Sequence, residues 1–252
     1  MNLTSNTGEG PLPKLEHGEH SVTTLYEYDG GYYDRKIKDF FGFQTVKTIY
    51  ADGTNTVDEY KNHNYYLKGC LEKSETRTVD GAILSKSATE YCDSPVSLPA
   101  KEEAWTYEKS SGESDFIHTA TEYEYDGWGN CIKITQNFGD GQKLSADITY
   151  DTNTNSTDYI IGLPVDIRAY DTDGRLLRRR SGDYDGLGQL KELRQYYDIY
   201  NYSRSALKYD SYGNISSVTD SREATLSYIY DETENMFVKE ISQRGDGTDF
   251  YN

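Results

Sequence analysis

Sulfur and proline are scarce in this 252-residue chain, which contains three cysteines and five prolines. Cys70, Cys92 and Cys131 are an odd number of thiols at wide spacing. Such a set provides neither a disulfide framework nor the ligand spacing of a zinc site. We therefore expect free thiols and no bound metal.

Positive charge is also in short supply, with 26 Lys and Arg against 43 Asp and Glu and a formal net charge of −17. Nucleic-acid binding needs clustered basic side chains, so nucleic acid is not an expected partner. The chain has no apolar run near the ~20 residues of a membrane helix, and no membrane span is expected. Residues 1–20 lack the charged-then-apolar pattern of a signal peptide. The expected location is secreted or cell-surface associated, without a conventional signal peptide in this chain.

Motifs of common enzymes are missing as well. The sequence has no G-x-S-x-G, no P-loop and no G-x-G-x-x-G. His17 and His20 do not have the H-E-x-x-H spacing, and His63 and His118 are isolated in the sequence, without a recognisable partner. We therefore predict a protein that is not an enzyme, with no catalytic, cofactor-binding or metal-binding residues. A hydrolase built on an acidic pair is the least favoured alternative.

Tyrosine, in contrast, is abundant, with 25 copies against 7 Phe and 2 Trp, and there are 22 glycines. Tyrosine favours half-buried pleated surfaces, and glycine supplies the backbone freedom of tight turns. This composition favours many strands joined by short turns.

The dipeptide Tyr-Asp recurs along the chain, and four copies continue as Y-D-x-x-G followed by a polar and then an apolar residue. They are YDGWGNCIKI at Tyr125, YDTDGRLLRR at Tyr170, YDGLGQLKEL at Tyr184 and YDSYGNISSV at Tyr209. In each copy the tyrosine ends a strand, the aspartate accepts backbone N–H groups as in an Asx turn, and the glycine takes positive φ. The predicted turn residues are Tyr125, Asp126, Gly129, Tyr170, Asp171, Gly174, Tyr184, Asp185, Gly188, Tyr209, Asp210 and Gly213.

Each copy thus predicts the tip of a β-hairpin, and the fold class follows. We predict an all-β protein, an extended antiparallel β-hairpin repeat array. Residues 1–20 are expected to be a flexible N-terminal tail, and 21–252 the array, with degenerate repeats in 21–120 and clearer repeats in 121–252. For Leu98–Lys109, helix and strand remain open.

These motifs resemble RHS/YD repeats of bacterial proteins. The stretch Tyr26–Thr54, with its Gly-Tyr-Tyr-Asp and Phe-Gly-Phe passages, and the stretch Gly162–Leu190 resemble the RHS-repeat region of the B components of insecticidal toxin complexes and of SpvB-type toxins. The resemblance implies a non-enzymatic scaffold, a segment of a β-sheet shell that encloses or carries a toxin polypeptide. At 252 residues the chain is too short to be a whole shell of this kind.

The same resemblance implies the partners. Other RHS repeats or a toxin polypeptide cargo are expected, and unpaired edge strands favour a homo-oligomer. The alternative function is a carbohydrate-binding or adhesion module on a bacterial surface, with a glycan as ligand, because aromatic-rich sheets stack on sugars.

The turn assignment generates a first prediction. Replacing Gly129, Gly188 or Gly213 by Val should destabilise the protein by about 1–3 kcal/mol, because a branched side chain is strained at positive φ. Thermal melting of the three variants measures the effect. Unchanged melting in all three would contradict the turns.

Overall fold

The computed structural model describes residues 3–6, 21–93, 96–108, 115–153 and 160–244. Within these ranges every regular element is a β-strand. The strands are β1 (Leu3–Asn6), β2 (Ser21–Asp29), β3 (Tyr33–Asp34), β4 (Asp39–Phe40), β5 (Thr45–Ile49), β6 (Asn55–Lys61), β7 (Cys70–Arg77), β8 (Ile83–Tyr91), β9 (Pro99–Tyr107), β10 (Phe116–Tyr125), β11 (Cys131–Asn137), β12 (Lys143–Asn153), β13 (Ile160–Tyr170), β14 (Leu176–Tyr184), β15 (Leu190–Tyr196), β16 (Tyr202–Tyr209), β17 (Ile215–Asp220), β18 (Thr225–Tyr230) and β19 (Val238–Arg244). The predicted all-β antiparallel fold is confirmed.

The chain divides into two compact units. Unit 1 consists of residues 1–123 with 136–142, and unit 2 of residues 124–135 with 143–252. The division passes through β10 and β11. Each unit is an antiparallel ladder in its own right.

In unit 1, β2 pairs with β1 on one side and with β5 on the other. From β5 to β10 each strand pairs with the next one along the chain. The short strands β3 and β4 form a separate two-stranded hairpin, inserted between β2 and β5. Asn62, which is 2% exposed, holds the base of this insertion by donating its side-chain amide to the carbonyls of Gly30 (2.7 Å) and Gly42 (3.1 Å).

In unit 2, β12 to β19 pair in chain order, each antiparallel to its neighbour. Consecutive strands are neighbours because the turns between them are short, as hairpin connections require. The turns therefore alternate between two edges of this ladder. We name the edge that carries the β14–β15, β16–β17 and β18–β19 turns the tyrosine edge, and the other one the opposite edge.

One face of unit 2 is charged. The register places Asp183 opposite Glu192, and Arg194 opposite Arg204, all on the same face. Arg194 lies 2.5 Å from Asp183 and 2.7 Å from Glu192, and Arg204 lies 3.7 Å from Glu192. The arginines of neighbouring strands thus lie next to acidic side chains, and this face of the sheet carries a network of ion pairs.

The other face of unit 2, which we call the apolar face, carries cross-strand pairs of apolar side chains, since successive side chains of a strand point to opposite sides. It also carries Arg180, which lies opposite Ile167 and Gln195. Its cross-strand pairs include Ile148 with Ile167, and Leu207 with Val218. These four side chains are half-buried. Leu226, next to Val218, is 38% exposed. The apolar face is therefore only partly removed from water.

Few side chains are fully buried in either unit. Among the described residues the buried apolar side chains are Phe41, Ile83 and Ala120, all in unit 1. A two-layer domain of ordinary construction buries a contiguous core between its layers. Here the stability comes from contacts between neighbouring strands within one layer.

Two further expectations concern particular segments. Leu98–Lys109, for which helix and strand were both open, contains strand β9 and ends outside the described residues at Lys109. The first twenty residues include β1, which pairs with β2, while 7–20 lie outside the described residues. The domain boundaries at 20 and 120 stay a prediction. No helix able to span a membrane occurs in the described part of the chain.

Candidate functional site

The repeated unit of the ladder is a five-residue turn that we call a corner. In the corner that starts at Asp185, the Asp185 N–H donates to the carbonyl of Gln189 (2.9 Å) and the Gly188 N–H donates to the carbonyl of Asp185 (3.1 Å). The Asp185 carboxylate accepts the N–H groups of Leu187 and Gln189, both at 2.9 Å. Gly188 has φ of 80°, a conformation that L side chains rarely adopt. The aspartate side chain thus stabilises the turn by accepting two of its N–H groups, and the glycine supplies the positive φ that the turn requires.

The other three predicted corners have the same bonds. The carboxylates of Asp126, Asp171 and Asp210 each accept the N–H groups two and four residues further on, at 2.8 to 3.1 Å. The structure therefore places all twelve predicted turn residues at hairpin tips. Their glycines at 129, 174 and 213 have φ of 87°, 77° and 88°.

One of the four differs in its position. The corner at Asp171 joins β13 to β14 and lies on the opposite edge, whereas those at Asp185 and Asp210 lie on the tyrosine edge. Sequence repetition alone does not distinguish the two edges, because the turn chemistry is the same on both.

Three more corners escaped the sequence pattern. They begin at Tyr50, Thr78 and Asp220, and each has both backbone bonds of the corner. Tyr50 and Thr78 stand where the others have aspartate, and the Thr78 hydroxyl accepts the N–H of Ala82 at 3.1 Å. The Asp220 corner has Glu223 in the glycine position, with φ of 62°. A search for Tyr-Asp misses such members, although the preceding β pattern signals a turn.

A fourth turn belongs to a different type. Tyr197-Asp198 is also a Tyr-Asp copy, but no glycine follows it. The Asp198 carboxylate accepts the N–H groups of Tyr200 (2.7 Å) and Asn201 (2.6 Å). It closes the β15–β16 turn on the opposite edge.

The tyrosines on the tyrosine edge connect successive hairpins. The Tyr209 hydroxyl donates to the carbonyl of Leu190 (2.9 Å), and Leu190 is the residue paired with Tyr184. In the same way, the Tyr230 hydroxyl donates to the carbonyl of Ile215 (3.0 Å), and Ile215 is paired with Tyr209. Each tyrosine hydroxyl therefore bonds to the carbonyl of the residue that is paired with the preceding tyrosine of the same edge. We call this arrangement the tyrosine relay.

The relay recurs elsewhere in both units. The hydroxyl of Tyr184 donates to the carbonyl of Pro164 (3.1 Å) and that of Tyr150 to Cys131 (3.0 Å) in unit 2. Within unit 1, Tyr91 donates to the carbonyl of Leu71 (2.8 Å). The pairing register shifts by one residue immediately before Tyr91, Tyr150 and Tyr184. β-Bulges of this kind re-aim a side chain, here toward the neighbouring strand.

Close packing accompanies the relay at Tyr184. The ring of Tyr184 lies over Gly182, and a Cβ at Gly182 would come within 2.9 Å of Leu190 and 3.2 Å of the Tyr184 ring. A side chain at residue 182 would have to displace the end of the Leu190 side chain and would crowd the Tyr184 ring, which favours glycine there.

Burial has a clear effect on these phenols. Removal from water raises the pKa of Tyr60, Tyr150 and Tyr184, since it disfavours the phenolate. Burial, together with the charges of Cys70, Glu102 and other neighbours, raises the pKa of Tyr91 to about 12. All four phenols stay protonated at physiological pH.

Three corner aspartates, Asp126, Asp210 and Asp220, show the opposite shift, a lowered pKa. Partial removal from water pushes the pKa of Asp210 upward, but hydrogen bonds from the side chain and N–H of Asn214 and from the Tyr212 N–H outweigh it, so the pKa is lowered. The N–H of Arg222 lowers the pKa of Asp220. Both carboxylates are thus fixed as anionic acceptors rather than proton donors. Their contribution to stability is lost as the pH falls through these lowered pKa values.

Unit 1 has a different cluster, built around Lys68. Its ammonium lies 5.1 Å from the centre of the Phe41 ring and 4.8 Å from that of Tyr65, and it forms an ion pair with Asp39. Aromatic cages of this kind bind cations, and here the chain's own lysine occupies the cage. The cluster anchors the inserted hairpin instead of leaving a ligand site.

The remaining candidates do not form a chemical site. His118 lies 3.1 Å from Glu103 and stacks on Trp105, and His63 packs edge-on against Tyr32. The three cysteines are free and half-buried. No cluster of three metal-ligating side chains occurs among the described residues. His17 and His20 lie outside them.

The corners and the relay define a class of protein, a single-layer antiparallel array of hairpins joined by repeated tyrosine contacts. We then compared the chain with known protein families and solved structures. Residues 15–74 match the family described as the middle/N-terminal region of the insecticide toxin TcdB. The stretch Tyr26–Thr54, which carries the resemblance in the sequence, lies inside this match. The resemblance to the B components of insecticidal toxin complexes is confirmed.

Solved structures agree on the fold. The chain aligns with the crystal structure of TcdB2-TccC3 without its hypervariable C-terminal region with a TM-score of 0.57 and 11% identity, covering 91% of this chain. It aligns with that of TcdB2-TccC3-Cdc42 with a TM-score of 0.53 and 10% identity, covering 89% of this chain. The chain spans about a fifth (21%) of the length of each matched chain. No curated protein sequence matches it.

A corner with glutamate in place of glycine generates a stability prediction. Glu223→Gly should stabilise the protein by about 0.5–1 kcal/mol, because glycine adopts positive φ without the strain of a side chain. The gain is reduced by loss of the exposed Arg204–Glu223 ion pair, at 2.7 Å, since such pairs contribute about 0–1 kcal/mol. Glu223→Ala is the control, because it removes the pair and keeps the strain. Urea unfolding measures the stability of both variants. If the Glu223→Gly variant were no more stable than the Glu223→Ala variant, the account would be wrong.

The relay generates a prediction about alkaline pH. The folded protein holds the pKa of Tyr91 at about 12, whereas an unfolded tyrosine titrates near 10. The stability supplied by this group is present below about pH 10 and is lost as the pH rises toward about 12.

Tyr91→Phe should therefore lower stability at pH 8 by about 0.5–1.5 kcal/mol, through loss of the bond to Leu71. It should also flatten the decline of stability between about pH 10 and 12. Denaturant unfolding across that range measures both effects. An alkaline decline as steep in the variant as in the original protein would show that Tyr91 does not carry it.

Proposed function

We propose that this chain is a structural, non-catalytic segment of the wall of a bacterial toxin-associated shell, which encloses or carries an unfolded polypeptide cargo. The observation that carries the proposal is the one-layer ladder of unit 2, whose two faces differ in chemistry. A sheet whose two faces differ in this way can separate apolar content from water. The match of residues 15–74 to a toxin family and the shared fold support a toxin-associated role.

The apolar face is the one we assign to the cargo. Unfolded polypeptides expose apolar side chains, and half-buried Leu207 and Val218 offer apolar surface for them. The charged face is saturated with its own ion pairs, such as that of Arg179 with Asp166 at 2.7 Å. We therefore assign the charged face to the side of the sheet that contacts water.

Further toxin subunits or repeats are the proposed partners at the end of the ladder. Among the described residues β19 pairs only with β18, and all seven of its residues are exposed. Such a strand presents free N–H and C=O groups to another strand. A site of action outside the producing cell follows from the proposed toxin association. The comparisons lend no support to the alternative, a carbohydrate-binding or adhesion module.

Strand β18 provides a matched pair of variants for a binding test. Leu226 projects from the apolar face and is 38% exposed, while Ile229 projects from the charged face and is 51% exposed. Fluorescence anisotropy of a labelled, reduced and alkylated polypeptide reports its binding to the chain, and its protease half-life reports protection.

Leu226→Ser should weaken binding about fivefold, the effect of losing roughly 1 kcal/mol of apolar contact, and should shorten the half-life of the polypeptide. Ile229→Ser should leave both unchanged. Absence of binding by the unmodified chain, or equal loss in the two variants, would reject the assignment of the cargo to the apolar face.

A further inference from the structure

The turns of the tyrosine edge present large apolar side chains to solvent. Leu187, Tyr212, Met236 and Phe237 are 76%, 70%, 70% and 66% exposed. Together they form what we call the apolar rim of unit 2. Turn tips are ordinarily polar, so a row of such residues is unusual.

The corner itself does not require these side chains. Leu187 and Tyr212 each occupy the third position of a corner, where only the N–H is used, at 2.9 and 2.8 Å from the aspartate carboxylate. The corners of the opposite edge of unit 2 have Asp173 and Arg222 in that position, with the same bonds. The bonded N–H fixes the backbone and leaves the side chain pointing outward. An apolar residue there exposes apolar surface to water, and the hydrogen bonds of the corner do not involve its side chain.

The spacing of the rim indicates what it fits. Successive turns of one edge are two strands apart, about 10 Å, so the three turns form a row about 20 Å long. A matching row with the same spacing is provided by another hairpin ladder of the same construction. In a dimer with a two-fold axis, the same row of each copy would contact the row of the other copy.

The available area is consistent with a weak dimer. Each rim side chain exposes on the order of 100–150 Å², so two rims together bury about 1,000 Å², the lower limit of specific interfaces. Charge acts against association, because each copy carries a net charge of −17. Salt screens that repulsion and leaves the apolar contact intact.

From the exposure, spacing and area of these side chains we infer that the apolar rim is a self-association surface, through which two copies of this chain form a transient dimer that is strengthened by salt. This inference is independent of the proposed cargo function, since it uses the turns and not the apolar face.

The test is sedimentation velocity of the full chain from about 1 to about 100 μM, at about 0.15 M and about 1 M NaCl. We expect concentration-dependent dimer that increases at the higher salt. The rim variant is Leu187→Ser with Tyr212→Ser. It should raise the dimer dissociation constant at least about tenfold and leave the melting temperature unchanged, because the corner bonds are made by the backbone.

The matched control removes equally exposed apolar side chains from the opposite edge. Ile199 and Tyr200, in the β15–β16 turn, are 63% and 81% exposed. The double variant Ile199→Ser with Tyr200→Ser should dimerise like the unmodified chain. A strictly monomeric protein under all conditions would overturn the inference. So would a rim variant that dimerises normally, or a control variant that loses the dimer to the same extent.

Discussion

The hydrogen bond from each tyrosine hydroxyl to a carbonyl of the neighbouring strand is the contact on which the ladder depends. A single-layer sheet cannot rely on a packed core, and the described residues contain three buried apolar side chains, all in unit 1. Each hairpin must instead be held by the one before it, as in other repeat proteins. The phenol of Tyr209 does so by bonding to the carbonyl of Leu190, and the ring of Tyr184 packs over Gly182. The same residue type therefore supplies both packing and polar specificity.

The polar groups of the corners and of the relay are engaged in hydrogen bonds within the sheet. The Asp210 carboxylate is held by N–H groups that lower its pKa, and burial keeps the phenol of Tyr150 protonated by raising its pKa. Neither group is poised to exchange protons near neutral pH. Lys68 fills the aromatic cage that would otherwise hold a cation. These groups are thus engaged in contacts with other parts of the chain.

The sequence predicted the fold class and the four Tyr-Asp corners because their chemistry is local. An aspartate and a glycine three residues later are sufficient for the turn, so Asp185 and Gly188 mark it without any tertiary information. The corners at Tyr50, Thr78 and Asp220 lack the Tyr-Asp pattern, because their backbone bonds are the same while the side chains differ. In the Asp220 corner, the bonds tolerate a strained glutamate at position 223.

Local chemistry by itself determined that this chain forms hairpins with tyrosine at their ends. Only the tertiary structure decided which edge each corner occupies, which carbonyl each phenol reaches, and why glycine is favoured at residue 182. It also decided which side chains, such as Leu226 and Ile229, project from opposite faces. The physical reason is that edge, face and relay depend on the register between strands that are 15 to 20 residues apart. A bulge of a single residue changes that register. The bulges fall immediately before the strand-ending tyrosines, but the residue that each tyrosine then faces is set by the pairing of the strands.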